Sequence, residues 1–245
     1  MAEVYCGPAV TPELLSDAWN FDLAVIVLSL LLVAGYSRTG RSWKNLPFWT
    51  ALSLIALLFM SPFCALTVSL FSARVAHHVA LVSVVAPLLA LSFPEGERAR
   101  RHVPLALLVA LHAAILWLWH APAVYDFAIR GALPYWVMQL SLLGSAFVMW
   151  RRILAPRTET GSAMLALLAT VIQMGMLGAL LTFARAPLYE AHVATTFPFG
   201  LSPRADQQLG GLVMWVPAAL PYMLVAMLLL SFRFERSARS AQARR

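Results

Sequence analysis

The chain has 245 residues, of which 61% are hydrophobic and only 12% charged, and its mean hydropathy is +0.76. A soluble domain of this size carries about twice that share of charge, so composition excludes an ordinary water-soluble globule and points to an integral membrane protein. The net charge of +7 and the pI near 10.1 would suit a nucleic-acid partner, but where the basic residues fall argues against one.

Residues 1–18, MAEVYCGPAVTPELLSDA, include Glu3 and Glu13 and no basic residue. They lack the positive n-region and short apolar core of a cleavable signal, so they read as a retained tail on the outer side. Apolar stretches then follow near 19–36, 46–68, 75–93, 103–120, 132–150, 163–183 and 209–232. A helix needs about 20 mostly apolar residues to span a bilayer. Long uninterrupted runs favour helices over barrel strands, which would alternate polar and apolar residues. Ser61-Pro62 marks a place where the second stretch can end early. The expected architecture is all-α: a polytopic membrane bundle of about seven transmembrane helices over 19–232, with a basic tail at 233–245. No internal repeat is visible, and seven spans cannot form two equal inverted halves, which counts against a repeat-built transporter.

With seven spans, alternate connections fall on opposite faces. One face would hold Arg38, Arg41 and Lys44; Arg98, Arg100 and Arg101; Arg151, Arg152 and Arg157; and the five arginines from Arg233 to Arg245, fourteen of the 18 basic residues. The positive-inside rule places that face in the cytoplasm, with the N-terminus outside and the C-terminus inside. Basicity is thus explained by topology and contact with membrane lipids, and no nucleic-acid partner is expected.

The chemistry-bearing residues crowd the other face. Of six histidines, only His102 lies on the cytoplasmic side. His77 and His78 enter the third span, His120 closes the fourth, and His112 sits eight residues earlier, about 12 Å deeper by helical rise. His192 lies in the long loop 184–208. Imidazoles in a membrane are costly and face the bundle interior, where they pair or serve function. Cys6 and Cys64 would meet an oxidising compartment, where they could form a disulfide or bind copper as thiolates. Met174 and Met176 add soft sulfur, as Met60, Met138 and Met214 do at similar depth, and sulfur with imidazole suits monovalent copper. The plainer alternative is that each histidine is a hydrogen-bonded core residue and each methionine ordinary packing. Trp119, seven residues after His112, falls on nearly the same helix face and could stack on it or anchor the interface.

The last span opens with RADQQLGGLVMWVP, residues 204–217. Asp206, Gly210 and Met214 step by four along one stripe, and Gly210 with Gly211 lets another backbone approach. Asp206 and Gln207 sit where side chains cap a helix start, while Gln208 and Trp215 complete the cluster. Pro217 and Pro221 predict a kink.

These segments also resemble a known family. LLTFARAPLYEAH through GLSPRADQQLGGLVMWVP is similar to the C-terminal signature of the multi-spanning CtaG-type (caa-type) cytochrome c oxidase assembly factors, as distinct from the single-anchor copper chaperone that shares the name. FSARVAHHVALVSVVAPLLAL and LWLWHAPAVYDFAIRGALPYW look like that family's other marked segments, and the resemblance runs from about Trp19 to Phe232. It implies a non-enzymatic role in maturing haem–copper oxidase, around copper insertion on the outer face, with oxidase subunits as partners and the cell membrane as location. His78, His120, Asp206 and Gln207 match family positions. Arg74, Tyr135 and Gln139 stand where many members carry histidine. An alternative function is a copper or small-solute transporter or resistance protein. A retinal-type sensor is excluded, because it needs a Schiff-base lysine in a helix and the single lysine is Lys44 in a connection. Asp126, His120 and Asp206 share a face, but no nucleophile–base arrangement or HExxH spacing supports hydrolysis.

Overall fold

A computed structural model describes residues 5–94 and 103–242, with side chains omitted for 236–241. The expectations for His102 and for Arg98, Arg100 and Arg101 fall outside the described residues. The fold is all-helical, and no strand occurs among the described residues. The principal helices are α1 (Leu23–Ser37), α2 (Leu46–Met60), α3 (Pro62–Ser69), α4 (Phe71–Ser92), α5 (Leu105–His120), α6 (Pro122–Ile129), α7 (Ala132–Ile153), α8 (Thr160–Phe183), α9 (Pro203–Trp215) and α10 (Ala219–Gln242). Four helical stretches are long and apolar enough to cross a membrane: α4, α7, α8 and the combined Pro203–Glu235. Two bent pairs, α2 with α3 at 52° and α5 with α6 at 77°, bring the number to six. The apolar α1 is 15 residues long.

Local chemistry sets these boundaries. Ser61 accepts a hydrogen bond from the Phe63 N–H at 3.2 Å and Pro62 follows at the first helical position, so the Ser-Pro step ends α2 and starts α3. The Ser202-Pro203 step starts α9 the same way, with Ser202 accepting from the Ala205 N–H at 3.2 Å. The expected proline kink is a break at 216–218, between α9 and α10.

The most enclosed span is α4: 61% of its apolar window is buried, against 17% for Pro203–Glu235. It is surrounded by α2, α3, α7 and α9, which is why a helix carrying Arg74, His77 and His78 sits at the centre. Within it, Leu81–Val85 winds as a π-helix. In that i→i−5 register the N–H of residue 87 would serve the Val82 carbonyl, but residue 87 is proline. The buried Trp150 indole donates to that carbonyl instead, at 2.9 Å. Outward-facing Leu30, Leu107, Leu165, Leu224, Met227 and Phe232 are all exposed, the apolar surface that a bilayer covers.

The two ends differ. At one, the N-terminal segment, α3, α6 and the loop after α8 form a cap. Ser69 bonds both the N–H and the carbonyl of Val10 at 2.9 Å, Thr195 donates to the Ser69 carbonyl at 2.7 Å, and Tyr189 donates to the His120 carbonyl at 2.7 Å. At the other end short connections carry Arg38, Arg41, Lys44 and Arg157.

Candidate functional site

Asp206 organises the capped end. Helix α4 begins after Leu70, which has no side chain able to cap it. The carboxylate of Asp206 arrives from α9 and takes that place, accepting from the Phe71 N–H at 2.7 Å, the Ser72 N–H at 3.1 Å and the Ser72 hydroxyl. An anion at a helix N-terminus also meets the positive end of the macrodipole. The sequence reading that Asp206 caps its own helix is therefore corrected: Ser202 does that, and Asp206 caps a neighbour.

The two glutamines tie α9 to the end of α8. Gln207 donates to the Leu181 carbonyl at 3.1 Å and accepts from the Leu188 N–H at 2.6 Å; Gln208 donates to the Thr182 carbonyl at 3.1 Å. These carbonyls belong to the last turn of α8, where no intrahelical donor remains. The glycines make the approach possible. A Cβ on Gly178 would lie 2.8 Å from the Gly211 carbonyl, one on Gly211 would lie 2.6 Å from the Gly178 carbonyl, and one on Gly210 would lie 3.0 Å from the Phe71 ring. Trp215 packs its indole over Gly175. Asp206, Gly210 and Met214 are all buried, as the stripe predicts.

One turn into α4 lies a buried polar core. The Arg74 guanidinium stands 5.2 Å from the centre of the Tyr135 ring. Tyr5, from the N-terminal segment, stacks on the Tyr135 ring itself, at 4.2 Å between centroids. His77 meets Phe59 edge-on at 4.7 Å, and His78 meets His120 edge-on at 5.8 Å. Gln139 contacts His78 through Nε2 atoms 3.3 Å apart. His120 is oriented by its Nδ1, 2.7 Å from the Leu116 carbonyl. The Tyr125 hydroxyl bonds His192 Nε2 at 2.6 Å. His192 lies in the loop outside the spans, and burial first, then the Arg74 charge, lowers its pKa to about 4. The three positions where histidine was expected by resemblance, Arg74, Tyr135 and Gln139, thus sit together around His78.

The remaining candidates do not join this core. His112 bonds Ser145 at 2.9 Å, and Trp119 bonds Ser141 at 2.8 Å. The two side chains engage a pair of α7 serines four residues apart, so of the two alternatives for Trp119, a stack on His112 or an interfacial anchor, the stack gives way to a helix-to-helix hydrogen-bonded seam. Cys6 and Cys64 form a disulfide, which answers the choice between disulfide and thiolate copper ligands: bonded to each other, the sulfurs are not thiolates. Met174 is buried, whereas Met176, two residues on, is 59% exposed on the outer surface. Among the described residues no three His, Cys, Asp or Glu side chains group closely enough to hold a metal ion. Tyr5, Ser72, Tyr125 and Tyr189 were not singled out from sequence. Their aromatic and hydroxyl character in or beside the stretches read as the outer tail and outer connections was the available signal.

Residues 27–234 match the family of cytochrome c oxidase caa3 assembly factors, Caa3_CtaG. The chain belongs to this family. The match covers α2 to α9 in full, and with them the Asp206 cap, the glycine crossing and the histidine-rich core. No curated protein and no solved structure was found to match. As a Caa3_CtaG member the chain is a membrane protein of cytochrome c oxidase assembly.

Proposed function

We propose that this Caa3_CtaG protein is a non-enzymatic assembly factor of the bacterial plasma membrane that engages oxidase subunits at its capped end, on the non-cytoplasmic side, during maturation of a copper centre. The family match carries the reading. Two further observations support the orientation. The arginine-rich connections gather at the end opposite the cap, and the Cys6–Cys64 disulfide belongs to the cap, as expected of a face exposed to an oxidising compartment. Seven crossings follow if the short α1 is counted as the first, and membrane lipids then cover the apolar surface.

The described residues do not assemble a three-ligand resident metal site. Copper is therefore cargo in this reading, met by the His78–His120 imidazole pair while the remaining donors come from the oxidase subunit.

Deletion of the gene is expected to lower assembled oxidase and its copper-to-haem ratio with transcript levels unchanged. Complementation with a His78→Ala/His120→Ala double variant, checked for normal membrane abundance, should restore less copper than wild type. A normal oxidase spectrum in the deletion strain ends the assembly role. Full restoration of copper by the double variant ends the imidazole role alone.

A further inference from the structure

We propose that the buried core around Arg74 is a binding site for a small monovalent anion of halide size. The starting observation is an uncompensated charge. Arg74 is 1% exposed, and its Nε and Nη1 have no hydrogen-bond partner among the described residues. Charged groups at such depth in a helical bundle pair with an opposite charge or with backbone carbonyls, because desolvating them alone is expensive.

Among the described residues no carboxylate bonds the Nε or Nη1 of Arg74. Both oxygens of Asp206 are taken by the start of α4. Asp22 faces Tyr5, and Asp126 faces Arg130. Among the described residues, what faces Arg74 carries no carboxylate: the Tyr135 ring, the Tyr125 and Tyr135 hydroxyls, which lie against the guanidinium, and the imidazoles of His77, His78 and His192.

These neighbours supply donors in excess. Nδ1 of His78 is buried without a hydrogen-bond partner among the described residues, and the Tyr135 hydroxyl faces only Arg74 and Gln139. A neutral imidazole carries one N–H; Nε2 of His78 faces the Gln139 amide nitrogen and accepts from it, which leaves the N–H on the unanswered Nδ1. A guanidinium, a phenol and an imidazole N–H with no anion to receive them make a donor-lined site. The aromatic walls and the burial of Arg74 restrict its occupant to a small one. Such an occupant would neutralise the guanidinium beside the His78–His120 pair, a different role from the copper handling proposed above, and it does not depend on that reading.

The test uses the full-length protein in lipid nanodiscs. Thermal unfolding is followed while sodium chloride replaces sodium gluconate at constant ionic strength, for wild type, Arg74→Gln and Tyr135→Phe. Anion binding to the native state raises the midpoint saturably with chloride. The expected result is such a rise in wild type, its loss in Arg74→Gln, and a half-saturating concentration at least about threefold higher in Tyr135→Phe, in line with one lost hydrogen bond. Chloride-35 NMR line broadening, present in wild type and reduced in Tyr135→Phe, gives a second readout if Arg74→Gln does not fold. A wild-type midpoint and line width indifferent to chloride would overturn the proposal. So would an equal chloride response in all folded variants.

Discussion

The capped end and the basic end of this bundle use polar residues in opposite ways. At the basic end, Arg38, Arg41 and Lys44 are exposed, and Arg233 reaches Thr160 only at 3.4 Å. Their work is done by net charge, so their exact partners matter little. At the capped end Asp206, Gln207, Arg74, His77 and His78 are buried, and Asp206 and Gln207 each answer backbone groups on another element. Position is everything there, because an unmatched donor or acceptor costs its full desolvation. Charge count decides one end and geometry the other.

The contrast breaks most sharply at Asp206. Asp206→Ala leaves three donors of Phe71 and Ser72 without an acceptor and is expected to cost at least about 3 kcal/mol, with Asp206→Asn retaining part of the loss. Arg233→Gln should stay within about 0.5 kcal/mol. Reversible unfolding in mixed micelles measures both, and comparable losses would erase the distinction between the ends.

A smaller effect is expected from the helix crossing. Gly211→Ala drives a methyl into the Gly178 carbonyl and should cost about 2 kcal/mol. Gly144→Ala meets nothing within 4 Å and should be neutral or stabilising, by up to about 1 kcal/mol. The same unfolding assay ranks the pair, and an unperturbed Gly211→Ala would show that the backbones need not approach so closely.

The smallest expected effect is a dependence on pH. His192 has a folded-state pKa of about 4, lowered by burial, against about 6.5 in an unfolded chain. Between those values the unfolded state binds more protons, so stability is complete above about pH 6.5 and falls as pH drops toward 4. His192→Asn should flatten part of this acid limb when midpoints are compared at pH 7 and pH 5. An unchanged slope would mean that His192 titrates alike in the folded and unfolded chains.

The helices were legible because hydropathy is local. Each apolar run became a helix, and Ser61-Pro62 and Pro217 marked real breaks. The stripe of Asp206, Gly210 and Met214 was legible too, since a four-residue step fixes one helix face. What could not be read was the partner. Asp206 caps a helix start 134 residues away in sequence, and no periodicity encodes that. His112 and Trp119 show the same limit: their shared face was visible in the spacing, but Ser141 and Ser145 on α7 were not. The disulfide stayed open for a related reason, as two cysteines on one face suit a bridge or a metal equally until their separation is known. The end of the fourth span at His120 was legible, but the helix α6 that follows it at a bend of 77° was not, because residues 120–131 read as a connection.

The bridge between Cys6 and Cys64 encloses α1 and α2 in one covalent ring. Helix α1 buries only Val25 and Tyr36, so packing alone holds it weakly, and the ring retains it. The two sulfurs can meet only after both helices have threaded to place residues 6 and 64 at the same end. Closure of this bond therefore records that α1 and α2 have paired as a hairpin with residues 6 and 64 at one end, and a thiol-alkylation gel shift on newly made chains would time that step.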